Sequence, residues 1–391
     1  MNTGASIVTR PRHAPNVGWY DSYFMVIAPG TPEELADCLA EANLRNQRIT
    51  LCGNSTKERM GGPVAASDVT VSTSALSGVL EYNPRDLTIS VGAGITYCEL
   101  TRVLAEHRQI VPLDPPFFER ATVGGSLAAN VSGPRRRLYG SARDMVIGMT
   151  FATLEGKLVK TGGMVVKNVA GLDMSKLMIG SFGTLAAIAT VNFRIHPMPH
   201  ETRSFTWEFQ RIGEVLSARD RVLQSRLQPA AIDILKTPGS YQLLIQAGGS
   251  AAVLDRYSHE LSGAKVLEGT NEESLWRGIR ELTPRFLREN PNGAVVRVSC
   301  LLSEMGGVLE AAPGQALVRA GSGVCYVYFP DTGALRLPRI GQSVIEFAPP
   351  EFRGLHELWP RPGDDFAMMK KVKEMFDPKG LLNHGRLYGR I

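Results

Sequence analysis

The sequence contains few cysteines, and none of them are paired in a short motif. Only five occur among 391 residues, and no C-x-x-C pattern is present. A disulfide framework needs an even set of cysteines, and iron–sulfur or structural zinc sites need closely spaced thiols, so both are disfavoured. We predict that all five are reduced thiols and that most are buried. They are Cys38, Cys52, Cys98, Cys300 and Cys325.

Long apolar runs and a concentrated charge are also missing. No stretch approaches 18 consecutive apolar residues, and the first twelve residues hold no apolar core of a secretory signal. We therefore expect a cytoplasmic protein with no integral membrane segment. The formal net charge is only +5, from 43 basic and 38 acidic residues scattered along the chain. Nucleic-acid binders normally show a concentrated basic face, so that class is disfavoured.

Two nucleotide-binding fingerprints and a metal-binding motif are absent as well. Neither G-x-x-x-x-G-K-[ST] nor G-x-G-x-x-G in a βαβ setting occurs, which disfavours P-loop ATPases and nicotinamide-binding Rossmann enzymes. Among seven histidines only His196 and His200 are four residues apart, and Pro197 and Pro199 prevent the helix that would align them. We predict no metal site.

Element patterns divide the chain into at least two parts. A length of 391 residues suggests two or three domains at roughly 150 residues each. Pro197 and Pro199 predict a domain boundary, and residues 200–350 alternate strands and helices in a way typical of one antiparallel sheet covered by helices. The predicted helices are 31–47, 96–107, 173–179, 212–226, 251–261 and 367–376; the predicted strands are 48–52, 69–72, 88–91, 146–154, 158–161, 186–195, 205–209, 241–247, 294–299 and 324–329.

Glycine is abundant, at 40 residues, and it clusters in loops. The first cluster is G-N-S-T-K at residues 53–57, directly after a predicted strand. Backbone N–H groups and hydroxyls in such a turn can surround a diphosphate, although an ordinary polar turn explains the same residues.

A second segment, T-V-G-G-S-L-A-A-N-V-S-G at residues 122–133, has small residues at nearly every position. Small side chains let a flat ligand lie against the backbone, and we expect the amides to be free to bind it. The alternative is a closely packed helix start between two strands. A third segment, K-N-V-A-G-L-D at residues 167–173 followed by K-L-M-I-G-S-F-G-T-L at 176–185, is explained largely by Asp173 capping a helix and Gly180 ending it.

The order of these three segments, together with the terminal D-P-K-G-L-L-N-H-G-R-L, resembles the PCMH-type (vanillyl-alcohol oxidase type) FAD-binding flavoproteins, and most of all the E subunits of bacterial glycolate oxidases. The likeness spans roughly residues 20–200 and 360–391. It implies an α+β fold, with a PCMH-type FAD-binding domain of two subdomains and a small α+β cap. The expected boundaries are 1–198 for the FAD-binding domain (subdomains about 1–72 and 73–198), 199–350 for the cap and 351–391 for a segment that returns to the flavin domain.

The resemblance also assigns a binding site for FAD. The resemblance places the diphosphate at the first loop, at Gly53, Asn54, Ser55, Thr56 and Lys57. The flavin and ribityl chain would lie along the second segment, at Thr122, Val123, Gly124, Gly125, Ser126, Ala129, Asn130, Ser132 and Gly133, and Asp114 and Pro115 would form the edge of that pocket. Ile188 would meet the adenine side, and Asn383 in the C-terminal tail would meet the isoalloxazine. Relatives that attach FAD covalently use a His or Cys in these loops, whereas Asn54 and Ser55 stand here, so non-covalent FAD is expected.

Departures from the family pattern leave the catalytic residues open. The usual Asn-Pro-Gly tail is Asn383-His384-Gly385, so His384 is a weak candidate for a base, and a solvent-facing tail residue is the alternative. The histidine-rich motif of the larger catalytic relatives is missing. Arginines 135–137 could pair FAD phosphates or a substrate carboxylate, or form a solvated turn or partner contact. Arg353, His356 and Arg361 could meet a substrate anion.

The activity implied is FAD-dependent oxidation of a small 2-hydroxy acid such as glycolate, with hydride transfer to flavin N5. The partners implied are a larger FAD-containing subunit and an iron–sulfur subunit, through which the complex could attach to the periphery of the inner membrane. Two alternatives stay open: a non-catalytic subunit that holds flavin or relays electrons, and a stand-alone oxidase that uses oxygen.

Overall fold

The structure, a computed structural model, describes residues 6–10, 24–164 and 173–391.

The first sheet is small and mixed. Four strands pair in the order β1-β2-β4-β3, with β1 antiparallel to β2 and β4 parallel to both β2 and β3. These strands are β1 (Ser6–Arg10), β2 (Phe24–Ala28), β3 (Ile49–Cys52) and β4 (Val69–Ser72). Helix α1 (Pro32–Leu44) connects β2 to β3; the Thr31 hydroxyl accepts a hydrogen bond from Glu34 N at 3.1 Å and begins it as predicted.

The second sheet has five antiparallel strands in the order β5-β6-β10-β8-β9. They are β5 (Val79–Asn83), β6 (Thr88–Gly92), β8 (Val146–Ala152), β9 (Leu158–Gly162) and β10 (Ala187–Arg194), and a separate short pair is formed by β7 (Gln109–Ile110) and β11 (His196–Pro197). Its helices are α2 (Tyr97–Ala105), α3 (Val123–Ala128), α4 (Arg136–Tyr139), α5 (Ala142–Met145) and α6 (Met174–Met178). Asp173 caps α6 as predicted, accepting from Ser175 N at 3.2 Å.

Residues 201–347 form one eight-stranded sheet in which every neighbouring pair is antiparallel, as the alternating pattern predicted. The order is β15-β12-β14-β13-β17-β18-β16-β19. The strands are β12 (Glu201–Phe209), β13 (Ala231–Thr237), β14 (Ser240–Gly249), β15 (Lys265–Leu267), β16 (Ala294–Ser299), β17 (Ala316–Arg319), β18 (Val324–Phe329) and β19 (Gln342–Phe347).

Two apolar layers cover the faces of this sheet. One packs α7 (Ile212–Gln224), α8 (Ala251–Glu260) and α11 (Met305–Ala311) on it; the other packs α9 (Gly269–Arg280) and α10 (Leu282–Glu289). Met60 and Ala129, from the first part of the chain, belong to the second layer. This face therefore adjoins the two N-terminal sheets.

The last forty residues cross back to the first sheet. Helices α12 (Pro350–Leu355) and α13 (Phe366–Phe376) precede a tail that runs beside β3, where Ile49 N donates to Leu381 O at 2.8 Å and Asn383 N donates to Ile49 O at 3.0 Å. A buried ion pair between Lys373 and Asp377 fixes the turn into this tail. Asp377 also accepts from Leu381 N and Leu382 N, both at 2.8 Å. The D-P-K-G-L-L motif is thus a docking turn.

Several expectations need correction. The element patterns missed β1, β2, β5, β7, β11, β13, β15, β17 and β19, together with α4, α5 and α9 to α12. The five cysteines carry no disulfide, but only Cys325 is fully buried and the other four are partly exposed. In the ranges that the structure describes, no helix is long and apolar enough to cross a membrane, and no group of three His, Cys, Asp or Glu residues could hold a metal ion.

Candidate cofactor and substrate site

A cleft of about 680 Å³ lies where the two N-terminal sheets, α12 and the C-terminal tail meet. Its volume falls within the range of small-molecule and cofactor sites. The predicted residues that line it come from four separate parts of the chain. They are Gly53, Asn54, Ser55, Thr56, Lys57, Thr122, Gly124, Gly125, Ala129, Ile188 and Asn383.

The loop at residues 53–57 leaves β3 and turns its backbone toward this cleft. Gly53 must be glycine, because a Cβ atom there would lie 2.3 Å from Thr122 Oγ1. Ser55 has a φ of 53°, in the left-handed region that lets successive amides point the same way. Within the described residues, the amides at positions 54–57 have no acceptor. Four free amides in one turn form an anion-binding nest.

Lys57 adds a cation to the nest. Its Nζ lies 3.4 Å from Ser126 Oγ and 3.4 Å from Thr56 Oγ1, and among the described residues no carboxylate is within 4 Å of it. Burial lowers the pKa of this ammonium to about 8, against the opposing charge of Glu281. A buried cation with no ion-pair partner facing a cleft fits an anionic ligand.

The expectation of free amides at residues 122–133 is wrong for most of this segment. Thr122 caps α3, and the amides of Val123, Gly124 and Gly125 donate to Ile95 O, Ala93 O and Thr122 Oγ1. Later amides bond inside the same turn, and Gly133 N donates to Leu113 O at 2.7 Å. The small residues instead allow neighbouring backbone segments, and a ligand in the cleft, to come close to this segment.

Two glycines show how that approach works. A Cβ atom at Gly124 would lie 2.8 Å from Ala93 Cβ, so this glycine lets α3 pack on the second sheet. A Cβ atom at Gly125 would meet only Thr122 Oγ1 within 4 Å, and Gly125 lines the cleft. Val123 and Ser126 are buried and do not line the cleft; Val123 belongs to the core of the second sheet.

Asn383 lines the cleft but uses its side chain to tie the tail in place. Its Oδ1 accepts from Leu51 N at 2.8 Å, and its Nδ2 donates to Leu51 O at 3.1 Å and to Phe182 O at 2.8 Å. The His384 ring lies against Gly380 and lines neither the cleft nor the cavity described below. Its backbone O accepts from Ala65 N at 2.9 Å.

A second cavity, of about 290 Å³, adjoins the cleft and shares Ala129 and Phe182 with it. The predicted residues Asn130, Ser132 and Gly133 line it. Asp114 and Pro115 line neither space: Asp114 forms a bidentate ion pair with Arg135, with Oδ2 accepting from Nε at 2.7 Å, and Pro115 is buried. Asp114 instead borders a smaller void beside this cavity.

The polar groups of the second cavity come mainly from the eight-stranded sheet, and sequence reasoning missed them. Arg297, Arg319, Tyr326 and Glu346 lie on β16, β17, β18 and β19 and point to the face that meets the N-terminal part. Charged residues between apolar ones in these strands were an available signal, as in V-V-R-V at 295–298. Their convergence depends on strand order, which the sequence does not display.

Buried ion pairs set the electrostatics of this cavity. Asp233, fully buried, pairs with Arg319, and burial raises the pKa of its carboxyl to about 6 against the effect of that arginine. Glu346 Oε1 lies 3.3 Å from Arg297 Nε, and burial raises the pKa of Glu346. Burial also raises the pKa of Tyr326 to about 12. Arg136, exposed and without a carboxylate within 4 Å among the described residues, lines the same cavity.

Of the remaining arginine and histidine candidates, one lines the cleft and the others lie elsewhere. Arg137 packs on the eight-stranded sheet, where a Cβ atom at Gly321 would lie 2.4 Å from its Cδ. Arg353 is buried and lines the cleft, whereas His356 and Arg361 are exposed. Residues 167–172 of the third segment lie outside the described residues.

The cleft fits FAD. A dinucleotide has a dianionic diphosphate between two flat rings, and the cleft is lined by the amides of one turn, by a cation and by glycine and alanine residues. Residues 53–57 would hold the diphosphate, and Gly125 and Ala129 would face the flat parts.

Family models match both ends of the chain. Residues 24–162 match the model described as FAD binding domain, and residues 360–387 match FAD linked oxidases, C-terminal domain. These matches confirm the resemblance to PCMH-type flavoproteins that the motifs predicted, and they confirm FAD as the cofactor.

Individual proteins agree with this. The chain is 28% identical to the glycolate oxidase subunit GlcE of Escherichia coli, over 88% of this chain and 93% of that protein. It is 24% identical to a D-lactate dehydrogenase of Archaeoglobus fulgidus, over 97% of this chain and 93% of that protein. Its fold is similar to that of 4-ethylphenol oxidase from Gulosibacter chungangensis, with a TM-score of 0.70 at 14% identity, covering 94% of this chain and 89% of that one. The chain is an FAD-linked oxidoreductase of α+β fold.

Proposed function

We propose that this chain, with an FAD binding domain and the C-terminal domain of FAD-linked oxidases, is the FAD-binding subunit of a glycolate (2-hydroxy acid) oxidoreductase complex. The observation that supports this most is the contact between two spaces. The FAD cleft and the smaller cationic cavity share Ala129 and Phe182 as common walls. A small acid in the cavity would therefore lie next to FAD.

The charge of the cavity favours a monocarboxylate. Three arginines line it, but Asp233 pairs with Arg319 and Glu346 pairs with Arg297, which leaves Arg136 as the arginine without a carboxylate partner among the described residues. One net positive charge matches one carboxylate. The volume of about 290 Å³ has room for glycolate, lactate or a larger 2-hydroxy acid, so the charge and not the volume selects the ligand class.

Hydride acceptance, carboxylate binding and proton acceptance are assigned to different groups. Bound FAD supplies the hydride acceptor at its N5 atom. Arg319, held from behind by Asp233, and Arg136 bind the carboxylate and fix the orientation of the α-carbon. Glu346 is the carboxylate that lines the cavity, and its raised pKa suits the acceptance of the hydroxyl proton.

The FAD is proposed to be non-covalent. Covalent attachment in this family uses His or Cys, and no histidine lines the described cleft. The thiol of Cys52 does line it, but burial raises its pKa, which disfavours the thiolate. Acid precipitation should release all of the yellow colour into the supernatant; colour that stays with the protein would contradict this.

Electrons are proposed to leave through partners. Of the five thiols only Cys300 and Cys325 meet, with their Sγ atoms 3.9 Å apart, and an iron–sulfur cluster needs about four such ligands, so a separate iron–sulfur subunit and a larger FAD-containing subunit would complete the complex. A second candidate, a non-catalytic subunit that holds or relays through FAD, is favoured by the absence of histidine from both described cavities.

Anaerobic reduction separates these functions. The purified chain loaded with FAD is mixed with glycolate or D-lactate, and the visible flavin absorbance is followed. Bleaching of the chain alone supports the proposal. Bleaching only after the partner subunits are added supports the non-catalytic role, and peroxide release in air without partners supports a stand-alone oxidase.

A further inference from the structure

We propose that Arg353 and Arg386, from α12 and the C-terminal tail, bind the diphosphate of FAD together with the loop at residues 53–57. The inference rests on FAD as the cofactor and is independent of the substrate, so failure of the substrate assignment would leave it intact. Neither arginine belongs to the loop that the sequence motifs indicated.

Both side chains reach the cleft from late parts of the chain. Arg353 lies on α12 and is only 7% exposed; its Nη1 donates to Glu58 O at 2.8 Å and to Gly61 O at 3.2 Å. Arg386 follows Asn383 in the tail, and its Nη1 donates to Met60 O at 2.7 Å and to Glu58 O at 3.1 Å. Both line the same cleft as Lys57.

These contacts, which for Arg386 include Gly62 O at 3.3 Å, use only Nη1, and Nη2 of each guanidinium makes no hydrogen bond among the described residues. In the same residues no carboxylate lies within 4 Å of either guanidinium. The two cations also disfavour each other: burial, and next the charge of Arg353, lower the pKa of Arg386 to about 10. Neighbouring buried cations are costly unless an anion accompanies them. Since the described residues place no carboxylate within 4 Å, a bound anion would stabilise the two arginines.

The position of Arg386 identifies which part of FAD that anion is. Its Nη1 donates to Glu58 O, the carbonyl of the residue that directly follows the loop at residues 53–57. The guanidinium therefore adjoins the end of this loop, and it lines the same cleft as the four free amides and Lys57. Glu58 is exposed and offsets part of the positive charge. A dianionic diphosphate matches this arrangement, and guanidinium groups bind phosphate oxygens in a bidentate manner.

Ligands with and without a diphosphate provide the test. The full chain, stripped of flavin, is titrated with FAD and with riboflavin and followed by flavin fluorescence. The variants are Arg353→Met, Arg386→Met and Arg386→Gln, of which the last keeps a donor for the carbonyls of the loop. Arg59→Met is the matched control, because Arg59 donates to Leu287 O and Gly293 O, attaches the same loop, and does not line the cleft.

Each cleft variant should lose about tenfold or more in FAD affinity, keep the affinity for riboflavin, and show a weaker dependence of FAD affinity on salt. Arg59→Met should affect both ligands equally. Equal losses for FAD and riboflavin in the cleft variants, or unchanged FAD affinity, would overturn the proposal. An unchanged salt dependence with Arg386→Gln would do so as well.

Discussion

Arg319 lies in the wall of the smaller cavity with its Nη1 donating to Asp233, a fully buried carboxylate on the neighbouring strand. The pair joins two adjacent strands, β13 and β17. Arg319 binds Oδ2 of Asp233, and Oδ1 has no hydrogen-bond partner among the described residues. The carboxylate therefore fixes the arginine at the cavity wall.

Replacement of Arg319 should separate substrate binding from cofactor binding. Arg319→Met should raise the glycolate concentration needed for half-maximal anaerobic bleaching by about tenfold or more, because a charge-assisted contact to the carboxylate is lost. The visible spectrum of bound FAD should not change. Arg361→Met, which removes an exposed arginine, is the control and should behave as wild type. A normal substrate requirement in Arg319→Met would exclude this residue from carboxylate binding.

Glu346 should affect the rate rather than the binding of substrate. Glu346→Gln removes the proton acceptor while keeping the size of the side chain, and the maximal bleaching rate should fall by about a hundredfold or more. The substrate concentration for half-maximal bleaching should not rise, because the variant leaves Arg297 without its carboxylate partner and so makes the cavity more positive. The wild-type rate should also decline as the pH falls through the raised pKa of this carboxyl, and the variant should lack that decline. Equal pH profiles would argue against the assigned role.

FAD affinity should depend on pH through Lys57. The pKa of this group is about 8 without ligand, and bound diphosphate would raise it, so binding takes up a proton above pH 8. Affinity is therefore fully present below pH 8 and falls by up to about tenfold per pH unit above it, until the pKa of the bound state is reached. Fluorescence titrations of the flavin-free chain between about pH 6.5 and 9.5 measure this. Lys57→Met should bind FAD more weakly with a flat profile.

Gly125 should be required for the cofactor and not for the fold. Gly125→Leu should abolish FAD occupancy, since the side chain would extend into the cleft. The thermal midpoint of the flavin-free protein should fall, because the new Cβ would lie 2.9 Å from Thr122 Oγ1 and the hydroxyl that caps α3 must shift, but the variant should still fold. Gly213→Leu, in α7 with no atom within 4 Å of its Cβ position, is the control. A folded Gly125→Leu protein that remains yellow would refute this placement.

The contributions of Lys373 and Asp377 to the free energy of unfolding should be strongly coupled. Asp377→Ala leaves a buried ammonium and two unpaired amides, and should lower the free energy of unfolding by about 3–5 kcal/mol. Lys373→Met combined with Asp377→Asn should cost less than the sum of the two single changes, which denaturant titrations of all four proteins would measure. Additive effects would contradict the coupling.

Local chemistry explains which parts of the site could be predicted. The loop at residues 53–57 follows a strand directly, so its residue types and position in the sequence were sufficient to predict that it belongs to the site, and it does line the cleft. The amides of α3 were misjudged because their acceptors, such as Ile95 O and Ala93 O, are distant in sequence. No local pattern reports where such carbonyls lie.

The smaller cavity illustrates the same limit more strongly. Arg297, Arg319 and Glu346 meet only because β17, β18, β16 and β19 are neighbours in that order. A shift of one residue in any strand would turn its charged side chain to the opposite face. The alternating pattern predicted one antiparallel sheet, but strand order and register decided which charges converge.

The returning tail has a consequence for biosynthesis. Asn383 and Arg386 complete walls whose other parts come from residues 53–57 near the start of the chain. A ribosome that has made only the N-terminal sheets has therefore not yet made the whole cofactor cleft. Tight loading with FAD should therefore follow synthesis of the tail, and products that terminate before residue 383 should emerge colourless.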